Sequence, residues 1–122
     1  MTRISDYLPG ELVMCQVTGT LVRVSRSGEG LESLGGELHE FTRAKAYPLD
    51  GPSFKAIGFK EVASGVYTYN LISREALRTL VAHYSGRASV YYIDISVELG
   101  ATVPLTSVQY AHELYRLLKL LQ

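Results

Sequence analysis

Polar side chains that could do acid–base chemistry alternate with apolar ones between residues 88 and 99. The segment ASVYYIDISVEL predicts a strand with one buried face and one polar face. The polar positions are candidates for a small-ligand or acid–base cleft, or for a face that only meets solvent; they are Tyr92, Asp94, Ser96 and Glu98. Same-face neighbours lie about 6.6 Å apart, which puts Asp94 and Glu98 about 13 Å apart. That separation is too large for two carboxylates acting on one bond.

Basic and aromatic side chains share one parity of a second segment, residues 36–47, which is interpreted as a strand. On that strand one face would carry His39, Phe41, Arg43, Lys45 and Tyr47. A surface of this composition can stack the bases of single-stranded nucleic acid. Glu37 has the same parity, however, and 12 basic residues balance 12 acidic ones to a net charge of zero. Nucleic acid therefore stays the weaker alternative as a partner.

The segment SRSGEGLESLGG, residues 25–36, raises the question of a phosphate-binding loop. No glycine follows Gly30 three positions on, so the pattern G-x-G-x-x-G is incomplete, and the G-K-[ST] of a P-loop is absent. The next segment is interpreted as a strand, so no helix N-terminus would face a phosphate. The loop is interpreted as a hairpin connection, and its role in recognition is left open. No cofactor is predicted.

The single cysteine and the three histidines have no metal-ligand spacing. One cysteine excludes an internal disulfide and a cysteine-rich zinc site within the chain. Cys15 lies among apolar residues with no basic residue evident nearby, so it is expected to be a buried structural thiol. His83 and His112 are interpreted as solvated helix positions. No metal site and no catalytic residue are predicted, and the sequence leans away from an enzyme without deciding the point.

The C-terminal segment YAHELYRLLKLLQ is apolar around more of its circumference than packing on one sheet requires. The surplus predicts a surface for self-association or for a protein partner. The candidate residues are Tyr110, Leu114, Leu117, Leu118 and Leu121. Burial between the sheet and another helix explains the same width equally well.

Hydrophobic periodicity predicts the elements that would position these groups. Residues 11–26 are interpreted as one long strand, or as two halves with a bulge at Gly19, and further strands are expected over 36–47, 53–62, 66–72 and 88–99. A helix is expected between Ser73 as N-cap and Gly86, because Leu77, Leu80, Val81 and Tyr84 recur at helical spacing. Thr106 and Gln109 form a capping box that would start the C-terminal helix.

These elements predict an α+β fold: a mainly antiparallel sheet of about five strands in the order β-β-β-β-α-β-α, with two helices packed on it. The unit spanning residues 66–99 would allow a right-handed parallel crossover. The length of 122 residues corresponds to one globular domain, residues 1–122, with residues 1–10 as an N-terminal arm. An apolar fraction of 47% and a charged fraction of 20% are those of an ordinary globular protein.

The first functional hypothesis is a non-enzymatic binding or regulatory protein that acts through protein–protein contacts. An inhibitor of a larger complex, such as a phage or mobile-element anti-defence protein, fits this description, as does a homodimer. The supporting features are the absence of catalytic motifs, the balanced charge, nine tyrosines and the leucine-rich helix. No apolar run approaches 18 residues and no signal peptide is evident, so no membrane contact and a cytoplasmic location are expected.

Overall fold

The computed structural model describes residues 6–72, 77–96 and 101–122. Those residues form nine strands and two helices. The first five elements are β1 (Leu12–Cys15), β2 (Leu21–Val24), β3 (Leu31–Glu32), β4 (Ala44–Lys45) and α1 (Gly51–Ile57). The other six are β5 (Lys60–Ala63), β6 (Val66–Ile72), β7 (Leu77–Ser85), β8 (Val90–Ser96), β9 (Thr102–Val108) and α2 (Ala111–Leu121). No helix within the described ranges is long and apolar enough to cross a membrane.

The chain is rich in antiparallel sheet and carries two helices, as the sequence predicted in outline, but its strands form two sheets instead of one. The first sheet has the order β3-β2-β1-β4, and the second has the order β5-β6-β7-β8-β9. The chain also divides into two compact units: unit 1 is Met1–Pro48 with Tyr110–Leu118, and unit 2 is Leu49–Gln109 with Lys119–Gln122. The single domain over residues 1–122 stays a prediction.

Unit 1 is built on the hairpin of β1 and β2, in which Val13 pairs with Val22. Two half-strands therefore form over residues 11–26. The bulge expected at Gly19 was wrong: this glycine has φ +71° and lies in the turn that joins the two strands, where the left-handed region favours glycine. The apolar side chains of the hairpin fill a buried cluster of Tyr7, Val13, Cys15, Val22, Val24, Leu31 and Ala44.

Unit 2 is an antiparallel meander with an aromatic core. The strands predicted over 66–72 and 88–99 are present as β6 and β8 within the described residues, and β8 alternates as expected, burying Tyr91, Ile93 and Ile95. Phe54 of α1 is fully buried, stacks on Tyr67 and meets Tyr91 edge-on. Helix α1 thus covers the Tyr91 face of the sheet. Tyr92 lies on the opposite face, because successive strand residues alternate.

Helix α1 begins inside the segment 53–62 that the sequence predicts as a strand. The N–H of Ser53 donates to Asp50 Oδ1 at 2.9 Å, and the N–H of Asp50 donates to Ser53 Oγ at 2.9 Å. This capping box, with a proline in the first turn and Gly58 at φ 115° after the last, fixes both ends of the helix. The strand prediction was wrong over 53–57, because these capping signals outweigh the weak alternation, and a strand forms only over Lys60–Ala63.

Replacing Asp50 by alanine is expected to lower the free energy of unfolding by about 1–2 kcal/mol, as for other N-cap side chains. The cause is that the N–H of the buried Ser53 loses its acceptor. Urea unfolding would measure the difference. The exposed Glu40 supplies the control, and its alanine variant should change stability by less than about 0.5 kcal/mol. Equal effects of the two substitutions would contradict the capping role.

The helix predicted between Ser73 and Gly86 was wrong. Its described part is β7, which pairs antiparallel with β6 and with β8, so the parallel crossover was wrong as well. Leu80 and Ala82 are buried two residues apart, and this period of two prevails because both neighbouring strands complete its backbone hydrogen bonds. The predicted N-cap residue, Ser73, lies outside the described residues.

Two further sequence predictions fail at their boundaries. Thr106 and Gln109 do not cap a helix, since Thr106 lies in β9 and α2 begins at Ala111. The start of α2 is marked instead by Glu113, whose Oε1 accepts from the N–H of Tyr110 at 2.9 Å. The strand predicted over 36–47 was mostly wrong: only Ala44–Lys45 is a strand there, paired with β1.

Candidate functional site

The polar face of the β6–β8 sheet carries the group of side chains that is best organised for contact. His83 stands directly opposite Tyr92 in the register of β7 and β8, and Asp94 follows Tyr92 by two residues on the same face. His83 Nε2 and Asp94 Oδ2 lie 3.0 Å apart. The His83 and Tyr92 rings are 5.8 Å apart between centroids. Hydrogen bonding and ring contact thus hold three functional side chains in one arrangement.

This group is open to solvent. The side chains of His83 and Asp94 are 43% and 27% exposed, and Tyr92 is 43% exposed. Of the four residues predicted here from sequence, Ser96 is half-buried on the same face, opposite Thr79, whereas Glu98 lies outside the described residues. His83, which the sequence placed on a helix, belongs to the group instead. Chemically the group offers an imidazole oriented by a carboxylate, beside a phenol ring.

A second pair of titratable groups lies at the end of β1, in unit 1. Cys15 Sγ and His39 Nε2 are 3.1 Å apart. Burial raises the pKa of the Cys15 thiol. Hydrogen bonds from the side chain and backbone of Thr18, and from His39, outweigh burial and lower the pKa to about 7. The thiol is buried, as predicted, but the expectation of no basic neighbour was wrong.

The Cys15–His39 pair does not present a nucleophile to a substrate in this conformation. Cys15 has 0% exposure and belongs to the apolar cluster of unit 1. A thiolate attacks only what it can touch, whatever its pKa. Among the described residues, moreover, no three His, Cys, Asp or Glu side chains are grouped as metal ligands would be. We therefore place the pair in the structural part of unit 1.

The thiolate absorbance of native protein is expected to titrate with a midpoint near pH 7, and His39→Ala is expected to raise that midpoint. The folded pKa lies below the ordinary value of 9.0. The thiolate therefore stabilises the fold fully above about pH 9, and this contribution disappears as the pH falls through 7. Unfolding curves of wild type and Cys15→Ala across this range give the matching measurement. A wild-type midpoint near 9 would contradict the hydrogen-bonded thiolate.

The residues predicted as a nucleic-acid face do not share a strand. His39 is bound to Cys15, and Phe41 packs against the buried cluster of unit 1. The His39 and Phe41 rings meet edge-on at 5.8 Å. Arg43 and Lys45 are exposed, and Tyr47 is half-buried. The face was inferred from strand parity, and only Lys45 of the five lies on a strand.

The glycine-rich segment 25–36 uses its own donors internally. The N–H of Gly30 donates to Ser25 Oγ at 3.2 Å, and the N–H of Glu29 donates to Ser27 Oγ at 3.3 Å. The N–H of Gly28 donates to the carbonyl of Ser25 at 2.9 Å. A phosphate cradle needs such N–H groups to converge on the ligand. In this loop they stabilise the connection between β2 and β3.

The apolar side chains of α2 are distributed between core and surface. Leu114 and Leu118 are 0% and 4% exposed, so the chain itself covers them. The other three predicted contact residues are half-buried: Tyr110, Leu117 and Leu121. Leu120, which the sequence did not single out, is 83% exposed. Intrachain burial thus uses much of the wide apolar face, and a partner role of the remainder stays a prediction.

Comparison with known proteins identifies no relative. No protein-family model, no curated protein sequence and no solved structure matches this chain.

The sequence could have revealed His83, but not His39. Once 77–85 and 90–96 are taken as a hairpin around residues 86–89, His83 falls opposite Tyr92. The signal in the sequence was the pair of apolar residues Leu80 and Ala82, whose spacing of two is that of a strand. His39 approaches Cys15 from 24 residues away through an irregular segment, which no periodicity describes.

Proposed function

We propose that this chain is a non-enzymatic binding protein that acts through protein–protein contacts made by the polar face of the β6–β8 sheet. We call this surface the open face; its residues are Thr68, Asn70, Thr79, Val81, His83, Tyr92, Asp94 and Ser96. One observation carries the proposal: Tyr92 is 43% exposed beside an imidazole that Asp94 holds in place. Exposed, preorganised tyrosine is the kind of side chain that dominates the energy of protein interfaces.

The form of the surface favours a macromolecule as the partner. Neighbouring strands among β6–β9 lie about 4.8 Å apart, so the four strands are roughly 19 Å wide. Seven residues that rise about 3.4 Å each make this part of the sheet roughly 24 Å long. A standard interface takes about 800 Å² from each partner. A contact of that size would cover the open face and reach over β9, of which all residues but the last are exposed. A regulator or inhibitor would act by occupying the matching surface of its partner.

Truncation of Tyr92 tests this proposal. Tagged protein is purified from cells that naturally produce it and weighed by native mass spectrometry. We expect wild type to carry a stoichiometric protein mass, either a second copy or a different chain. Tyr92→Ala should weaken that contact by about thirtyfold or more, the loss typical of an interface hot spot. The control Leu38→Ala truncates a side chain of unit 1 that is 83% exposed, and this variant should retain the partner.

Two results would contradict the proposal. A bare monomer in every preparation would leave the open face without a protein partner. A partner mass that survives Tyr92→Ala as well as Leu38→Ala would place the contact elsewhere.

A small-ligand or acid–base role of Tyr92, Asp94 and Ser96 is the second candidate function. It is favoured by the 3.0 Å contact of His83 with Asp94, because a carboxylate that orients an imidazole is a common arrangement for a general base. In that case wild type would retain a small-molecule mass. Asp94→Asn would remove that mass, and the protein content of the preparation would stay the same.

A further inference from the structure

Unit 1 contains a polar cleft that neither the open face nor the buried thiol explains. Its volume is about 400 Å³. The lining residues come from β2 and the loop after it, from β3, from the turn before β1 and from α2; they are Gly10, Arg23, Val24, Arg26, Glu32 and Tyr115. A volume of this size is in the range of small-molecule sites.

Arg23 has an unusual position in this cleft. It lies in β2 between Val22 and Val24, whose side chains are buried, so its own side chain projects from the other side of the strand. Its Nε atom is buried and has no hydrogen-bond partner within the described residues. A buried donor of a charged group that stays unpaired is strongly unfavourable. Because this Nε is shielded from solvent, an acceptor in the cleft would reach the guanidinium as the Arg23 side chain turns, and the unpaired donor favours that change.

The charges of the cleft indicate what kind of acceptor fits. Glu32 stands directly opposite Arg23 in the register of β2 and β3, and Arg26 follows two residues after the end of β2. Neither arginine forms an ion pair within the described residues. Two guanidinium groups against one carboxylate leave an excess of one positive charge. Guanidinium groups bind carboxylate and phosphate through paired N–H donors, so an oxyanion is the complementary ligand group.

Gly10 and Tyr115, which also line the cleft, are packed closely together. Gly10 has φ +88°, and a Cβ atom there would lie 2.8 Å from Tyr115 Oη. Only glycine allows both the backbone conformation and the close approach of the tyrosine. The pair Glu11–Arg116, next to these two residues in sequence, ties α2 to the same turn through a 2.6 Å contact. The hydroxyl is therefore held on a fixed part of the unit.

We propose that this cleft binds a small molecule that carries both an oxyanion and a hydroxyl or ammonium donor. The oxyanion accepts from the guanidinium groups of Arg23 and Arg26. The hydroxyl or ammonium group of the ligand faces the carboxylate of Glu32. This carboxylate would repel an anion that carries neither a hydroxyl nor an ammonium group. This site lies in unit 1 and is separate from the open face, so it goes beyond the proposed function.

Titration of isotope-labelled protein, observed through the arginine Nε–H signals in NMR spectra, tests the site. The probes are sulfate, glycerol 3-phosphate and glycerate. We expect saturable shifts of the Arg23 signal with the hydroxylated probes, and at least about fivefold weaker binding of sulfate, which is fully deprotonated at neutral pH and has no hydroxyl donor. Whether glycerol 3-phosphate or glycerate binds more tightly identifies the oxyanion as phosphoryl or carboxylate.

Arginine variants supply the controls. Arg23→Gln and Arg26→Gln should each weaken binding of the tighter probe by about tenfold or more, whereas the exposed Arg43→Gln removes the same charge and should leave it unchanged. Glu32→Gln should strengthen the binding of sulfate and so narrow the difference in affinity between sulfate and glycerol 3-phosphate. Arg26 is exposed, so its variant keeps the test valid if Arg23→Gln does not fold. Parallel, non-saturating shifts of all arginine signals, or equal losses for Arg26→Gln and Arg43→Gln, would overturn the proposal.

Discussion

Replacing Phe54 by alanine is expected to lower the free energy of unfolding of unit 2 by about 3–5 kcal/mol. Phe54 is the largest fully buried side chain of the described residues. Its ring stacks on Tyr67 with centroids 4.2 Å apart, and it meets Tyr91 at 4.7 Å and Phe59 at 5.3 Å. Alanine would remove these contacts and leave a cavity lined by three aromatic rings that cannot all collapse into it.

Chemical denaturation followed by tyrosine fluorescence measures the effect of Phe54→Ala. Val62→Ala is the matched control, since Val62 lies in the same unit at 56% exposure and its loss should change stability by less than about 0.5 kcal/mol. The loss of stability caused by Phe54→Leu should lie between the losses caused by Phe54→Ala and Val62→Ala. A loss of less than about 1 kcal/mol for Phe54→Ala would show that the aromatic core does not hold this unit together.

Replacing Arg116 by alanine is expected to lower the free energy of unfolding of unit 1 by about 2–3 kcal/mol, less than for a fully buried pair, because the Arg116 side chain is 42% exposed and water screens its charge. Glu11 is 0% exposed, and its two carboxylate oxygens accept from Arg116 Nε at 2.6 Å and from Arg116 Nη2 at 2.9 Å. The hydrogen bond to Glu11 raises the pKa of the arginine, which is charged at every working pH. Without Arg116, the buried Glu11 carboxylate would have no counter-charge. Only the N–H of Leu8, at 2.7 Å, would still donate to Glu11.

A double-mutant cycle separates the pair from its surroundings. Glu11→Leu combined with Arg116→Met should be clearly less destabilising than Arg116→Ala alone, because apolar replacement of both partners leaves no buried charge. Arg43→Ala serves as the control for loss of a positive charge, and it should have little effect at an exposed site. Additive effects of the Glu11 and Arg116 substitutions would contradict a direct pair.

Local periodicity predicted the elements whose own residues follow a strong hydrophobic pattern. The strand at 90–96 was predictable because a strict alternation persists over a dozen residues, and the strand at 66–72 because β-branched and aromatic residues fill it. The C-terminal helix was predictable in type, and its first residue was not. β9 ends only three residues before α2 begins, so the capping signal over 106–109 starts inside a strand, at Thr106.

The wrong helix prediction came from a segment whose apolar residues fit both the helical period and the strand period. In residues 77–84 the apolar side chains satisfy a helical spacing and a strand spacing, and pairing with β6 and β8 selects the strand. This long-range choice is invisible to a window of local sequence. It also determines the open face, because it is what brings His83 beside Tyr92. The polar face of β8 was predictable from β8 alone, whereas the His83 imidazole could be predicted only by pairing 77–85 with 90–96 as a hairpin.

The arginine cleft was outside the reach of sequence for a different reason. Its residues come from four separate stretches of unit 1, and Tyr115 of α2 is about 80 residues or more from the others in sequence. The glycine-rich segment drew attention to this region, yet its own N–H groups are used within the loop. Of the arginine side chains beside it, Arg23 has a buried Nε that has no hydrogen-bond partner within the described residues.

The most direct test of the central claim is site-specific photo-cross-linking from the open face inside living cells. A photoreactive phenylalanine analogue replaces Tyr92 in one variant and Leu38 in the other, and cross-linked species are identified by mass spectrometry. We predict that position 92 captures one defined protein, either a second copy of this chain or a different partner, which position 38 does not capture. If both positions yield the same products, or position 92 yields none, the open face is not the contact surface of this protein.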